Sequence, residues 1–369
     1  PLAVEMAKLS LWLLTLARDR PLTFLDHALK CGDSLVGASP HQLQAWDLQA
    51  TPGSKARLES FGTGADLKRL ITLRREVQAL PMRDLRDQQV KADRLAEAEA
   101  LAHELKTGAD MLVASGFSEL KGAAAERLRE GLWRAFRLGE SVPPETPDLD
   151  TMVPGGVRPF HWELEFPEVF PTATAGGEAA RAGAGGFDAI VGNPPFMGGL
   201  RISTYLGPAY LLFLRRAWPD CRGTVDLCAF FYRRAFEKLR PGGCFGLIAT
   251  NTIAQGDTRE GGLDRLLACG GSIYRAQNNT PWPGTAAVVV DIVHVRKGPW
   301  SGPRILDNAP VKAITAYLDG RAASGAPRRL KANEGRVSSD RTCSAWALCW
   351  SRRRHRPSSS VTRATGTCS

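Results

Sequence analysis

A short apolar strand that runs directly into an Asn-Pro-Pro-aromatic turn constrains this chain more than any other feature. Residues 187–192 read Phe-Asp-Ala-Ile-Val-Gly and are followed at once by Asn193, Pro194, Pro195 and Phe196. Each proline fixes its own φ and lacks a backbone donor, so the Pro194 carbonyl is presented by a rigid turn. The pattern therefore predicts a fixed set of polar and aromatic groups directly after a strand.

The residues of this turn suit the activation of an amino group on a flat ring. The N6 lone pair of adenine is delocalised into the ring, so the nitrogen is a poor nucleophile until acceptors hold both of its hydrogens. The Asn193 side-chain oxygen and the Pro194 carbonyl can be those acceptors. Phe196 offers a face for stacking, and a base in a duplex must be flipped out to reach it. An ordinary Asn-Pro turn is the alternative interpretation.

Three further segments, together with the turn, resemble parts of a known enzyme family. The chain resembles class I, S-adenosylmethionine-dependent N6-adenine DNA methyltransferases, in particular the large enzymes of type IIG restriction-modification and phage-exclusion systems. Residues 2–13 resemble the helix after the family's second strand, and residues 24–35 resemble its third-strand motif. Residues 160–170 resemble the segment before the catalytic strand, and the resemblance extends over residues 1–336.

This resemblance implies an α/β fold with a Rossmann-like class I methyltransferase sheet. The sheet is expected to be mostly parallel with an antiparallel edge pair, and to be truncated at the N-terminus. Residues 41–155 are rich in Leu, Ala, Arg and Glu at helical spacing, which predicts a helical insertion. The expected domains are core residues 1–40 and 156–300 on either side of the insertion, the start of a downstream region at 301–336, and a tail at 337–369.

Short apolar runs predict further strands at residues 28–31, 244–249, 272–275 and 286–295. The run at 244–249 is expected to be buried on both faces. An apolar helix that begins at Asp226 precedes it and is expected to end in a left-handed glycine cap at Gly242 and Gly243.

Residues 160–170 alternate as an edge strand would. Glu163, Glu165 and Glu168 in this segment could suggest acid–base chemistry or a metal. Their alternate spacing favours one solvated strand face instead. Methyl transfer to an amino nitrogen needs no metal, and we expect none.

The resemblance also implies roles for individual residues. Asp33 is expected to accept a hydrogen bond from the adenine amino group of S-adenosylmethionine, at the carboxyl end of its strand. Asn193 and the Pro194 carbonyl would orient the target N6, and Phe196 would stack on the flipped base. Trp282 lies in the loop that packs beside this base in the family; a plain turn aromatic is the alternative.

The composition limits the possible binding partners and the cellular compartment of the protein. The formal charge of +10 and the pI near 9.4 fit a polyanionic partner such as double-stranded DNA. Residues 336–369 alone carry seven Arg and one Asp and so supply much of this positive charge. The net charge is therefore only weak support for a DNA partner. The eight cysteines form no Cys-x-x-Cys pair, and no apolar run approaches the roughly 20 residues that span a bilayer. We expect a cytoplasmic protein with no membrane contact and with fused or associated restriction or defence subunits.

Two expected family features are missing from the sequence. No glycine-rich loop occurs between a strand and a helix, and the acidic residue that would bind the cofactor ribose is absent. After Arg336 the chain becomes rich in Arg, Ser, Thr and Cys, which we interpret as a disordered, out-of-frame tail. The chain is therefore expected to be an incomplete and inactive fragment. The alternatives are an inactive remnant that binds DNA weakly and a protein glutamine methyltransferase, although the latter usually carries Tyr in place of Phe196.

We predict that the purified chain binds S-adenosylmethionine weakly, because the glycine-rich loop and the ribose-binding acid normally hold most of that ligand. Isothermal titration calorimetry measures the affinity directly. A dissociation constant in the low micromolar range would contradict this expectation.

Overall fold

The fold is that of a computed structural model, in which six stretches of the chain are described. The predicted tail at 337–369 and the preceding residues 321–336 lie outside the described residues. The described stretches are residues 2–14, 28–57, 61–80, 85–170, 185–282 and 288–320.

The described residues form one six-stranded mixed sheet in the order β1-β2-β4-β3-β5-β6. Strands β1, β2, β3 and β5 run in one direction, because the β1–β2 and β3–β5 pairs are parallel and β3 reaches β2 through the antiparallel strand β4. The α/β class and the mostly parallel sheet with an antiparallel pair are confirmed. The strands are β1 Phe187–Gly192, β2 Leu239–Thr250, β3 Gly271–Pro281, β4 Val289–Lys297, β5 Arg304–Leu306 and β6 Ala309–Val311.

Helices pack against this sheet and make up most of the predicted insertion. They are α1 Leu2–Leu14, α2 Pro40–Ala45, α3 Phe61–Ala79, α4 Leu85–Phe117, α5 Gly122–Leu138, α6 Leu149–Met152, α7 Trp162–Glu165, α8 Gly199–Tyr205, α9 Pro208–Ala217 and α10 Leu227–Lys238. A 3₁₀ turn at Asn251–Ala254 leads to α11 Gly256–Arg259, the π turn Glu260–Asp264 and α12 Arg265–Ala268.

The insertion and the sheet share one hydrophobic core. Leu112 and Phe117 of α4 are fully buried in the same cluster as Phe245 of β2 and Val293 of β4. The Phe117 ring stacks on Phe213 of α9, with ring centroids 4.7 Å apart. The helices predicted within residues 41–155 are therefore present, while the division into domains stays a prediction.

Strand β2 differs in two ways from its predicted form. Only alternate residues are buried, among them Phe245, Leu247 and Ala249, so the strand is covered more completely on one face than on the other. The predicted glycine cap is also wrong: α10 ends at Lys238 and β2 begins directly after it. Gly242, with φ of +81°, instead lies in an irregularity where the β1–β2 register shifts.

The predicted downstream region begins inside the sheet. Strand β5 pairs with β3, and β6 pairs with β5. Asp307 and Asn308 connect β5 to β6 with φ values of 50° and 65°, the left-handed conformation that two-residue hairpins favour. Residues up to 311 thus extend the six-stranded sheet.

The strand predicted at residues 28–31 is absent from the described structure. Only Asp33 makes an isolated parallel bridge, to Pro159. The Val36 N–H donates to the Asp33 carbonyl at 3.1 Å and the Phe160 N–H donates to the Val36 carbonyl, so the chain turns after Asp33 and the pairing does not continue as a strand. The Asp33 N–H donates to the Arg158 carbonyl at 2.7 Å.

The edge strand predicted at residues 160–170 is also wrong, because Trp162–Glu165 form the short helix α7. Its three glutamates do not face solvent as one row. Glu163 pairs with Lys238 at 2.7 Å, Glu165 with Lys106 at 2.7 Å, and Glu168 with Arg74 at 3.3 Å. Burial raises the pKa of Glu163, but the adjacent Lys238 ammonium and its hydrogen bond bring that pKa below its ordinary value.

We predict that Gly37→Ala destabilises the fold by about 1–3 kcal/mol through overpacking. A Cβ atom at this position would lie 2.2 Å from the Phe160 carbonyl oxygen. Gly64→Ala is the control, because its Cβ would meet nothing closer than 3.8 Å and alanine favours the helix by about 0.5–1 kcal/mol. Urea unfolding measures both changes, and equal stabilities of the two variants would contradict the expected close packing.

Candidate active site

The turn of residues 193–196 leaves the carboxyl end of β1. Pro194 is buried and anchors the turn, whereas Asn193 and Pro195 are exposed. The Phe196 ring is 37% exposed. Polar and aromatic groups of the turn are therefore presented at the sheet edge where ligands bind in open α/β folds.

Phe196 and Trp282 come together although 86 positions separate them in the sequence. Their rings pack edge-to-face, with centroids 6.1 Å apart and planes at 89°. Trp282 directly follows β3, and its backbone N–H donates to the Val288 carbonyl at 2.9 Å. The two aromatic residues expected to contact the base thus line one corner next to the turn.

Asp33 is held by donors from two directions. Its Oδ1 accepts a hydrogen bond from the Leu35 backbone N–H at 3.0 Å, and its Oδ2 accepts one from the Tyr210 hydroxyl at 2.8 Å. An ionised carboxylate offers about four acceptor positions. The side chain therefore keeps acceptor capacity for a ligand.

The surroundings of Asp33 shift its titration. Burial raises the pKa of Asp33, while the Tyr210 hydroxyl and the backbone N–H groups of Leu35 and Val36 act to lower this pKa. Burial and the nearby Asp33 charge raise the pKa of Tyr210 far above its ordinary value. The phenol therefore stays protonated and donates to the carboxylate.

Asp33 and the turn line the same pocket, whose volume is about 300 Å³. Such a volume is at the lower end of the range for small-molecule pockets, which suits one flat ring system. Its walls are mostly apolar, with Asp33 as the charged group. The lining residues are Gly32, Asp33, Ser34, Pro195, Met197, Leu206, Tyr210, Leu227 and Phe231.

Asp226 holds the chain that follows the turn. Its Oδ1 accepts from the Gly199 backbone N–H at 2.8 Å, and its Oδ2 accepts from the Thr252 hydroxyl. The Leu227 N–H donates to the Met197 carbonyl at 3.0 Å. The segment after Phe196 is thereby tied both to the start of α10 and to the turn after β2.

Tyr210 and Asp226 were not assigned to the site by sequence reasoning. Tyr210 lies 177 positions from Asp33 in an apolar helix, where nothing local distinguishes it from a core aromatic. Asp226 did carry a signal, since it stands directly before an apolar helix in the N-cap position. That signal predicts a helix start and not the bond to Gly199.

The described residues offer neither a metal-binding cluster nor a membrane-spanning helix. Among the described residues, no group of three or more His, Cys, Asp or Glu side chains could hold a metal ion. In those same stretches, every helix is too short or too polar to cross a bilayer.

Comparison with protein families identifies the group to which this arrangement is similar. The family described as the Eco57I restriction-modification methylase matches residues 1–267, well over half of the 369 residues. The chain belongs to this family. The match includes Asp33, the helical insertion, the 193–196 turn and Asp226. This membership agrees with the resemblance to large restriction-modification methyltransferases that the sequence motifs indicated.

Two solved structures of restriction enzymes are similar at low identity. The type IIL restriction-modification enzyme MmeI in complex with DNA is 17% identical; the match covers 61% of this chain and 28% of that chain, with a TM-score of 0.34. A modification subunit assigned to a type I restriction enzyme from Vibrio vulnificus YJ016 is 15% identical, with 36% and 26% covered and a TM-score of 0.25. The chain thus spans little more than a quarter of either protein. No curated protein sequence matches it significantly.

We predict that Tyr210→Phe in this methylase lowers the free energy of unfolding by about 1.5–3 kcal/mol at neutral pH, the usual worth of a hydrogen bond to a charged group. Tyr232→Phe is the matched control. Tyr232 is also a buried helical tyrosine, and it donates to the neutral Leu247 carbonyl at 2.9 Å, which predicts a cost of about 0.5–1.5 kcal/mol.

The losses of unfolding free energy caused by Tyr210→Phe and Tyr232→Phe should depend differently on pH. Because the folded pKa of Asp33 is raised, the native state takes up this proton before the unfolded chain does, and the contribution of Asp33 to stability rises as the pH falls from that raised pKa towards about 3.9. The hydrogen bond from the Tyr210 hydroxyl stabilises the fold less when the Asp33 carboxyl is protonated than when it is ionised. Urea unfolding at a series of pH values should therefore show the Tyr210→Phe cost shrinking in acid while the Tyr232→Phe cost stays constant; parallel curves would rule out the ionised Asp33 acceptor.

Proposed function

We propose that the chain methylates the N6 amino group of adenine in double-stranded DNA, with S-adenosylmethionine as the cofactor. The single observation that supports this most is the pocket lined by both Asp33 and Pro195. It makes a carboxylate that can bind an adenine ring adjacent to a turn that can activate an amino group. Associated restriction or defence subunits are part of the same proposal.

The pocket residues fit the adenine part of the cofactor. The Asp33 carboxylate keeps acceptor capacity beyond its bonds to Leu35 and Tyr210, and an adenine amino group is a donor. Leu206, Leu227 and the Pro195 ring supply apolar walls for the ring faces. S-adenosylmethionine is the general cofactor of this family, and when bound it supplies an electrophilic methyl group.

The turn residues act on the target base. The Asn193 side-chain oxygen and the Pro194 carbonyl accept the two N6 hydrogens, which favours a tetrahedral nitrogen with a localised lone pair. These bonds strengthen as the nitrogen becomes cationic during the reaction, and only such differential contacts accelerate the chemical step. Phe196 and Trp282 hold the flipped base by stacking and packing, where stacking is worth about 1–3 kcal/mol per base.

A protein glutamine substrate is the second candidate, because an amide nitrogen poses the same problem of nucleophilicity. The Phe196–Trp282 corner favours a flat aromatic substrate over a primary amide, since it offers two rings for packing. An inactive chain that binds DNA through its basic surface is the third.

We predict that the chain transfers labelled methyl groups to duplex DNA only when millimolar S-adenosylmethionine offsets its weak cofactor binding, and that Asn193→Ala reduces this rate by about a hundredfold or more. Losing one preorganised polar contact typically costs about 3 kcal/mol in the transition state. Gln89→Ala is the control, since it removes an exposed amide from helix α4. Mass spectrometry of the digested DNA should identify N6-methyladenine.

Phe196 variants separate base capture from chemistry in the same assay. Phe196→Ala should raise the DNA concentration needed for half-maximal rate, whereas Phe196→Tyr keeps the ring face and should retain most activity. Equal rates for Asn193→Ala and the parent would show that the turn does not activate the amine. N4-methylcytosine as the product would refute the adenine assignment, and DNA binding without any methyl transfer would favour the inactive remnant.

A further inference from the structure

The loop that carries Asp33 is held by one short segment of the chain. We call residues 32–38 the Asp33 loop and residues 158–162 the supporting segment. The Asp33 N–H donates to the Arg158 carbonyl at 2.7 Å, and the Phe160 N–H donates to the Val36 carbonyl at 2.7 Å. Backbone hydrogen bonds thus run in both directions between the two segments.

The contact between these segments leaves no room for side chains at two positions. A Cβ atom at Gly32 would lie 2.9 Å from the Phe160 ring, and one at Gly37 would lie 2.2 Å from the Phe160 carbonyl oxygen. The Trp162 indole N–H donates to the Ser34 carbonyl at 3.0 Å. The supporting segment therefore contacts the Asp33 loop along its whole length.

His161 makes the remaining link and is 2% exposed. Its Nδ1 accepts a hydrogen bond from the Ala38 backbone N–H at 3.0 Å, so Nδ1 carries no proton. The proton of the neutral ring is then on Nε2, which donates to Asp110 Oδ1 at 2.9 Å. Asp110 thereby selects the tautomer that can hold the Asp33 loop.

Helix α4 of the insertion supports the pocket at two points. Asp110 of α4 acts through His161 on the Asp33 loop. Phe117 at the end of α4 packs edge-to-face against Tyr210, with centroids 6.3 Å apart, and Tyr210 donates to Asp33. Helix α4 therefore supports both the Asp33 loop and Tyr210, the two parts of the chain that hold the Asp33 carboxylate.

We propose that His161 is a positioning residue for the adenine pocket, and that the helical insertion sets the affinity of this pocket through Asp110 and His161. The inference rests on the proposed binding of an adenine ring beside Asp33. His161 does not line that pocket, so it acts only by holding the backbone of the Asp33 loop.

Two matched substitutions of His161 test this role. His161→Asn keeps an acceptor close to the position of Nδ1, whereas His161→Gln keeps a donor close to the position of Nε2 and loses that acceptor. Both remove the ring, so both lose similar packing. With adenosine as the probe and ligand-detected NMR as the measurement, His161→Gln should bind about five- to tenfold more weakly than the parent, the effect of one hydrogen bond.

The conservative variant and the partner residue complete the test. His161→Asn should bind adenosine within about twofold of the parent, because its side-chain oxygen replaces Nδ1. Asp110→Ala should weaken adenosine binding about two- to threefold, since the tautomer is no longer selected. Asp93→Ala on the same helix is the control and should have no effect. Equal affinities of the Asn and Gln variants would overturn the positioning role.

A readout without ligand keeps this inference separate from the proposed function. Amide hydrogen exchange should accelerate within residues 32–38 in His161→Gln and remain slow in His161→Asn, at similar melting temperatures of the two variants. If the parent chain binds no adenosine but shows this exchange pattern, the adenine pocket is wrong and the positioning role of His161 for the Asp33 loop stands. Identical exchange in both variants overturns the role itself.

Discussion

Burying a carboxylate costs free energy unless hydrogen-bond donors replace the water it loses, and Asp33 imposes this requirement on its surroundings. The Tyr210 hydroxyl and the Leu35 N–H supply these donors. Tyr210 reaches Asp33 from helix α9, and Phe117 packs against the tyrosine ring from α4. The position of the Asp33 carboxylate therefore depends on helices α4 and α9, which lie far from it in the sequence. The pocket forms only when these helices have packed together.

The parallel alignment of β1 and β2 brings the other half of the site to this pocket. Their register pairs Gly192 with Leu247, so the chain leaves both strands at the same edge of the sheet. Asp226 then joins Gly199 to Thr252, which holds the segments that follow the two strands together. Asn193 and Phe196 are exposed, but the backbone that carries them is anchored on both sides.

Local patterns were enough to predict the elements whose structure is decided locally. The 193–196 turn, the strand at 244–249 and the helices of the insertion follow from prolines and apolar spacing, which short segments carry by themselves. The strand at 28–31 and the edge strand at 160–170 were wrong because the partners of these segments decide their conformation. The chain turns between Asp33 and Val36, and the Phe160 N–H bonds to Val36. The glutamates of the second segment pair with Lys238, Lys106 and Arg74. In the site, the meeting of Phe196 with Trp282 agrees with the expected loop, but Tyr210 required knowledge of a contact across 177 positions.

The shared hydrophobic core has a consequence for how this chain can change. Leu112 and Phe117 of the insertion are packed in the same cluster as Phe245 and Val293 of the sheet, so neither part has a complete interior alone. We expect the insertion and the sheet to unfold as one cooperative unit, so that a loss of packing in one destabilises the other. The insertion is thus no detachable module: exchanging it between relatives would require that the interior surfaces of both parts be exchanged together.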